Sequence, residues 1–431
     1  MQRTHSTNEL GKAIGKEVVL EGWCYDIRSL GGLKFILLRD GGGIVQVTAH
    51  KDKADAAVMK VCDALHQEDV ILVKGKVVKS TKTKAGIEVI PSEVTLISKS
   101  QTPLPLDPRE VTKANLDTQL DWRFLYFRTS EGRAIFKIQT SILKAFRNFF
   151  SNKGFIEMQP PVIISSASEG GAELFTMPYF EKQAFLAQSP QLYKQMGALS
   201  FEKVFMIVPV FRAEKFDQPT HLNEIRQMDM EKAFATDEEV MEILEEVFVY
   251  MLKQVKEECG EELKLLKREL EIPKLPLKRI TYSKAIGLLQ KNGGKIDWGN
   301  DFSKTQEKIL TKAVGEHSFF IKDWPTAIKA FYAFPYEDNP KICKAFDLIY
   351  DGIEVCSGTQ RIHIPDLLVK QLKSKGLNPE NFKNYIDAFR YGAPHHAGWS
   401  IGLERLTMEI TGRSNIKEVT MFPRDRNRIT P

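Results

Sequence analysis

Two stretches near the C-terminal end carry side chains suited to one piece of chemistry. AFDLIYDGIEVCSGTQR, residues 345–361, holds Asp347, Glu354, Ser357 and Arg361, and GWSIGLERL, residues 398–406, holds Gly402 and Arg405. Two acids and a hydroxyl are the hard oxygen ligands that Mg²⁺ takes. Two arginines offer planar donors matched to carboxylate or phosphate oxygens. Such a set could present a nucleotide triphosphate to an acidic substrate. Asp347 and Glu354 flank Asp351-Gly352, a turn that would let them face one another on adjacent strands and share a cation. A pair of exposed strand-end acids is the plainer alternative. Arg405 stands in an apolar run and needs an anionic partner; if the run is a strand, Glu404 points to its other face.

Three further segments could complete a site. In FRAEKFDQPTHLNE, residues 211–224, Arg212 ends an apolar strand and a polar loop with Glu214 and His221 returns to another strand. That is a rigid base from which to aim an arginine at phosphate, or simply a hairpin with a surface Arg212–Glu214 pair. In SASEGGAELF, Gly170 and Gly171 give a loop able to close over a ligand, with Glu169 as a partner for an ammonium group. In AQSPQLYKQ, Gln191 and Lys194 lie three apart on a helical turn and can share a pocket; an ordinary helix start with a solvated Lys194 is the alternative. His395-His396 would face opposite sides of a strand with no third ligand at metal spacing, which favours structural or substrate-proximal roles. Gly41–Gly43 is a turn and not a phosphate loop, since no GKS or GKT follows.

The elements that must position these residues change character along the chain. EVVLEGWCYDIR, KFILLRD, GIVQVTAH, DVILVKGKVVK and GIEVIPSEVTLIS alternate apolar and polar residues between glycine turns, with one helical run, ADAAVMKVCDALHQ. Five strands and a helix within residues 1–101 fit a small barrel such as an OB-fold. Residues 102–130 hold three prolines and little periodicity and read as a linker. From residue 131 to 431 the reading is mixed: helices at RAIFKIQTSILKAFRNFFSNKG and DEEVMEILEEVFVYMLKQVKEEC, and strands at FIEMQPPVII, AFLAQS, KVFMIVPVFRAE, QMDMEKAFA, FFIKDW, KAFYAF, AFDLIYDGIEVCSG and WSIGLERL. Without regular βαβ alternation this predicts an α+β domain on a largely antiparallel sheet, with a small insertion at about 236–318.

Bulk properties narrow the class. A chain of 431 residues predicts two or three domains. With 61 basic and 56 acidic residues the net charge is only +5, so charge alone does not assign a polyanion partner. Five scattered cysteines with no CxxC indicate neither a zinc site nor a disulfide framework and fit reduced, intracellular thiols. No apolar run is long enough for a bilayer, and the protein is expected to be cytoplasmic.

Together these segments resemble the class II aminoacyl-tRNA synthetases, and within them the aspartyl enzymes of archaeal type. GFIEMQPP looks like motif 1, with Pro161 at a dimer interface, FRAE through HLNE like motif 2, and GWSIGLERL like motif 3. The resemblance implies an N-terminal OB-fold that reads the anticodon, a six-stranded antiparallel catalytic sheet, and a homodimer. It implies aspartate activation by ATP with Mg²⁺, and transfer of aspartate to tRNA-Asp, with tRNA-Asn as a further acceptor. By similarity, Arg212 would bind the α-phosphate, Glu214 the adenine edge, and His221 and Arg405 the outer phosphates, with Leu222 and Gly402 lining the ATP site. Asp347, Glu354 and Ser357 would hold Mg²⁺; Glu169, Gln191, Lys194, Arg361, Arg212 and Ser357 would bind aspartate. Lys194 and Arg361 as two converging cations suit a carboxylate better than an amide.

In the barrel the resemblance implies that Phe35 stacks on a base, that Gln46 and Arg28 bond base edges, and that Glu88 lies on a neighbouring strand. Tyr25 and Lys84 stand where members charging both tRNA-Asp and tRNA-Asn differ from stricter ones. Ile225 replaces a phenylalanine that stacks on adenine in many relatives. The bacterial insertion between motifs 2 and 3 and the basic eukaryotic extension are absent. An asparaginyl enzyme, or a tRNA-binding paralogue without activity, are the alternatives.

Overall fold

Five strands whose side chains alternate inward and outward close into a barrel: β1 (Glu17–Leu30), β2 (Leu33–Arg39), β3 (Ile44–His50), β4 (Val70–Lys79) and β5 (Ile87–Ser98). The computed structural model describes residues 2–165, 174–215 and 218–431, and Met1–Asn115 and Leu116–Pro431 form separate compact units. In the barrel order β1-β2-β3-β5-β4, only β3 and β5 run parallel. Val18, Leu20, Ile36, Leu38, Val45, Val47, Ile71 and Val73 point inward and fill it. β1 turns into β2 through Gly31-Gly32, both at positive φ, a two-residue connection that side chains other than glycine adopt only with strain. The helix Ala56–Ala64, capped by Asp55 accepting from Ala57 N, bridges β3 and β4. Gly41–Gly43 is the β2–β3 turn, its amides at Gly42 and Gly43 donating to Asp40 Oδ1.

The second unit is built on one sheet of mixed direction. Its strands are β6 (Ile156–Glu157), β10 (Lys203–Phe211), β11 (Glu224–Ala233), β12 (Lys278–Thr281), β13 (Ser318–Pro325), β14 (Ile342–Tyr350), β15 (Ile353–Gln360) and β16 (His396–Gly402). The order is β12-β13-β14-β15-β16-β11-β10-β6. The six strands from β13 to β10 are antiparallel; β12 and β6 add parallel edges. A separate small sheet pairs β7 (Ile163–Ile164), β9 (Lys182–Leu186) and β8 (Thr176–Tyr179). Helices Ser130–Asn152 and Asp237–Glu258, started by Thr129 and by a Thr236/Glu239 capping box, pack on the main sheet. Phe146, Phe150, Phe205 and Trp399 interlock there, and Trp399 Nε1 donates to Val240 O at 3.0 Å.

Several expected elements differ. WSIGLERL is not one strand: β16 stops at Gly402 and Leu403–Thr411 is helical, with Leu403, Leu406 and Ile410 buried at helical spacing and Gly412 ending it at φ +67°. KAFYAF is no strand either, only a turn with isolated bridges Ala333–Arg361 and Pro335–Cys343. Its aromatic residues Phe331, Tyr332 and Phe334 are all buried, so the run lacks a period that marks a strand. FIEMQPPVII divides at its prolines into β6 and β7, which belong to different sheets. Within residues 102–130, Leu116–Asp121 and Arg123–Tyr126 are helical.

Gly358 on β15 sits between Phe346 on β14 and Trp399 on β16. A Cβ there would lie 2.4 Å from Phe346 Cζ and 2.7 Å from Trp399 Cβ. Gly358→Ala should lower the stability of this unit by about 1–3 kcal/mol through overpacking, seen as a lower urea midpoint with an unchanged slope.

Candidate active site

β11 has two chemically opposite faces. Met228 and Met230 enter the helix-packed core, while Gln227, Asp229 and Glu231 alternate onto the other side and are nonetheless buried. Their charges are met by cations from distant segments. Lys194, on the helix Gln191–Phe201, donates to Asp229 Oδ2 at 2.7 Å and to Trp399 O at 3.2 Å, and its Nζ lies 3.7 Å from Glu231 Oε2. Arg361, just beyond β15, makes a forked pair with Glu231, Nε to Oε1 at 2.8 Å and Nη2 to Oε2 at 3.0 Å. Ser400 Oγ donates to Asp229 Oδ1 at 2.6 Å. Burial pushes Glu231 towards protonation, but Arg361 and Lys194 outweigh it and hold the carboxyl below its ordinary value. The two cations expected to converge on a substrate carboxylate are thus each paired with an internal acid. Lys194 keeps a third proton and Arg361 Nη1 carries no hydrogen bond among the described residues. Gln191 Nε2 nearby in sequence is buried without a partner.

A cleft beside this cluster brings together Arg212, Glu214, His221, Leu222, Glu354, Ser357, Gly402 and Arg405, with Gln227, Ile225 and Ser400. β10 and β11 supply the first four through the loop that joins them. Ser400 belongs to both the cleft and the Asp229 cluster, so the two are continuous. Arg405 is in the first turn of the helix after β16, its Nη1 lying 3.6 Å from Glu354 Oε1 and 3.4 Å from Glu354 O. Glu404 also lines the cleft, with both carboxylate oxygens accepting from Arg226 N at 3.0 Å; burial raises its pKa to about 7. His221 is driven down to about 4, first by burial and then by Arg405, Lys304 and Arg212. It is a neutral hydrogen-bonding group at neutral pH.

Asp347 and Glu354 do lie on adjacent strands, with Asp347 directly opposite Ser357. Burial raises Asp347 to about 6, although Lys329 Nζ stands 2.7 Å from its Oδ2. Its Oδ1 is buried with no partner. Burial would raise Glu354 too, but Arg405 and Lys329 hold it low. No group of three or more His, Cys, Asp or Glu that could hold a metal occurs among the described residues. An orphaned carboxylate oxygen and a second carboxylate fit a cation that completes its shell with phosphate oxygens and water.

Comparison with known proteins decides the family. Residues 115–426 match the family described as tRNA synthetases class II (D, K and N), and residues 18–97 match the OB-fold nucleic acid binding domain. The chain belongs to the class II tRNA synthetases. It is 48% identical to an aspartate–tRNA(Asp) ligase of Pyrococcus furiosus, covering 100% of both chains. It is 46% identical to an aspartate–tRNA(Asp/Asn) ligase of Methanococcus aeolicus, covering 100% of this chain and 98% of that one. The asparaginyl-tRNA synthetase of Pyrococcus horikoshii complexed with asparaginyl-adenylate superposes with a TM-score of 0.95 at 30% identity over 100% of both chains.

In the synthetase's barrel, Arg28 and Phe35 are register partners across β1 and β2, and Phe35 pairs with Thr48 on β3. Gln46 Nε2 donates to Glu88 Oε2 at 3.1 Å, and Thr48 Oγ1 to the same oxygen at 2.6 Å. Tyr25 sits at the bulge in β1, with the Arg39 guanidinium carbon 5.4 Å from its ring centre. Lys84 is exposed in the β4–β5 turn. Glu169 lies outside the described residues.

Asp229, Glu231, Gln227, Ser400 and Lys329 are absent from the sequence-based set of site residues. The signal available for the acids was QMDMEKAF, an apolar strand with charges at every second position. His396, adjacent to exposed His395, is fully buried, with Nδ1 3.0 Å from Pro394 O and Nε2 3.2 Å from Gln195 Oε1. Burial lowers it to about 4 from 6.5. The unfolded chain therefore takes up a proton near 6.5 and the native chain only near 4, so this contribution is complete above pH 6.5 and is lost as pH falls towards 4. His396→Gln removes it. The wild-type advantage over the variant should shrink by about 2–3 kcal/mol between about pH 7.5 and about pH 4.5, as read from urea unfolding at the two values.

Proposed function

We propose that the protein is an aspartate–tRNA ligase. It joins L-aspartate to ATP as aspartyl-adenylate, releasing pyrophosphate, and transfers the aspartyl group to the 3′ end of tRNA-Asp. The observation that carries this reading is the buried Arg361–Glu231 and Lys194–Asp229 cluster opening into the cleft of Arg212, His221 and Arg405. The hydrogen-bonding capacity left on Lys194 and Arg361 consists of donors. A side-chain carboxylate satisfies such donors; the NH₂ of an asparagine amide would add donors to them. The relatives' names agree in aspartate.

No side chain of the enzyme acts as nucleophile. The aspartate α-carboxylate attacks the α-phosphorus and pyrophosphate leaves; a terminal ribose hydroxyl of the tRNA then attacks the carbonyl carbon of the mixed anhydride and AMP leaves. Arg212 and Arg405 neutralise phosphate charge, and His221 donates a neutral hydrogen bond, so catalysis is positioning plus electrostatics. Asp347, Glu354 and Ser357 would hold Mg²⁺, which when bound lowers the charge of the triphosphate. In the same reading Phe35, Gln46 and Arg28 meet the anticodon, two copies associate through the Pro161 segment, and the enzyme works in the cytoplasm. Among the described residues no helix is long and apolar enough to cross a membrane.

Pyrophosphate exchange decides between substrates. Exchange should depend on aspartate and not on asparagine, and an asparagine-only response refutes the proposal. Arg361→Ala should lower aspartate-dependent kcat/KM by roughly 10²–10³-fold, because Glu231 loses its forked partner, while ATP binding stays measurable.

Tyr25 and Lys84 support relaxed use of tRNA-Asn, as does the Asp/Asn name of one relative. Purified tRNA-Asn should accept aspartate from this enzyme. Absence of product at high enzyme concentration, with tRNA-Asp charged alongside, would limit the enzyme to tRNA-Asp.

A further inference from the structure

Arg123 contributes nothing to the cleft, yet its side chain is fully buried and grips the end of the chain. Nε donates to Met421 O at 2.9 Å, and Nη2 donates to Lys417 O, Glu418 O and Thr420 O at 3.0, 3.0 and 2.6 Å. Two of these carbonyls, Lys417 O and Glu418 O, belong to the short helical turn Ile416–Val419. The rings of Tyr126, Phe127 and Phe136 lie 4.8, 5.3 and 5.4 Å from the guanidinium carbon. Carbonyl dipoles and ring faces therefore surround the charge. Burial draws its pKa down to about 10, which leaves it charged at neutral pH.

The segment held in this way reaches the loop between β10 and β11 at three points. Ile416 N donates to Pro219 O at 2.7 Å, Asn223 N donates to Arg424 O at 2.8 Å, and Arg426 Nη1 donates to Lys215 O at 3.2 Å. Asn223 carries the constraint to the start of the loop. Its Nδ2 donates to Arg212 O at 2.7 Å and Glu214 O at 3.0 Å, and its carbonyl accepts from Arg212 N at 2.9 Å. Ile416 also lines the cleft beside Arg212 and His221.

We propose that Arg123 is a positioning residue for the ATP-binding loop, acting through residues 416–426. The inference rests on the assignment of ATP to the Arg212 cleft. One guanidinium collects four carbonyls of a segment whose next bonds hold Pro219, Asn223 and Lys215, so a displaced segment moves the backbone that aims Arg212, Glu214 and His221. Lysine at this position keeps the charge but cannot span the same carbonyls as a planar fork. Methionine leaves them without a donor.

Full-length Arg123→Lys and Arg123→Met are compared with wild type in aspartate-dependent pyrophosphate exchange, varying ATP and aspartate separately. For Arg123→Lys the KM for ATP should rise about tenfold, the scale of loss when a binding loop shifts by less than an ångström. Arg123→Met should show a larger rise, with the KM for aspartate within about twofold of wild type in both. Hydrogen exchange at the Asn223 amide should be faster in both variants. A purely structural role would reduce the amount of active enzyme and lower kcat while leaving both KM values in place; that result, or unchanged exchange at Asn223, overturns the proposal. Should Arg123→Met be insoluble, Arg123→Lys decides alone. Wild type that shows no exchange with aspartate would refute the assigned reaction, and the Asn223 amide would still report on the clamp.

Discussion

Arg361 and Glu231 form a forked ion pair with neither side chain more than 3% exposed, and Lys194 and Asp229 form a second pair against it at 1% exposure each. Removing four charges from water is costly, and mutual attraction repays the cost only when each charge keeps its partners. The cluster therefore constrains everything that supplies it. The helix Gln191–Phe201, strands β11 and β16 and the chain beyond β15 must meet in one arrangement. Gly398 shows how tightly: a Cβ at that position would lie 2.2 Å from Glu231 Oε2. A larger residue on β16 and the carboxylate on β11 cannot occupy the sheet together.

The sheet also separates this polar cluster from an apolar core without a thick intervening layer. Along β11, methionines face the helices and acids face the site at successive positions. Trp399 serves both sides: its indole is locked between Phe146, Phe150 and the carbonyl of Val240, and its own carbonyl accepts from Lys194. Rigidity in the aromatic core is thus transmitted to the ammonium group through one residue's backbone. Substrate discrimination by a few donors needs that rigidity, since a shift of an ångström would let an amide rotate to fit.

The barrel strands and the two long helices were legible in the sequence because their burial follows simple periods of 2 and 3.6. So were Arg212, His221, Glu354 and Arg405, which the sequence presents in short segments with recognisable surroundings. The acids of the buried cluster were not, because their partners are remote: Asp229 meets a lysine 35 residues away and Glu231 an arginine 130 residues away. Lys329 was hidden for another reason. It opens KAFYAF, an apolar run that looks like a strand, whereas burial of every aromatic in that run makes it a turn that swings the ammonium group to Asp347. The helix after Gly402 was missed because four residues of GLERL are too few to reveal a 3.6-residue period before it becomes established further on.

Charge in the cleft connects the site residues to the proposed metal. Arg212 and Arg405 supply two positive charges and Glu214 and Glu354 two negative ones, while His221 is neutral and Glu404 lies near its midpoint at neutral pH. The cleft is thus close to balanced before any ligand enters, and a triphosphate brings several negative charges into it. Lys304, which adds to the positive potential at His221, is already paired with Glu307. Lys329 is likewise paired with Asp347. Asp347 and Glu354 would hold a divalent ion, which when bound would offset part of the triphosphate charge. The buried Oδ1 of Asp347, which has no hydrogen-bond partner, fits such an ion.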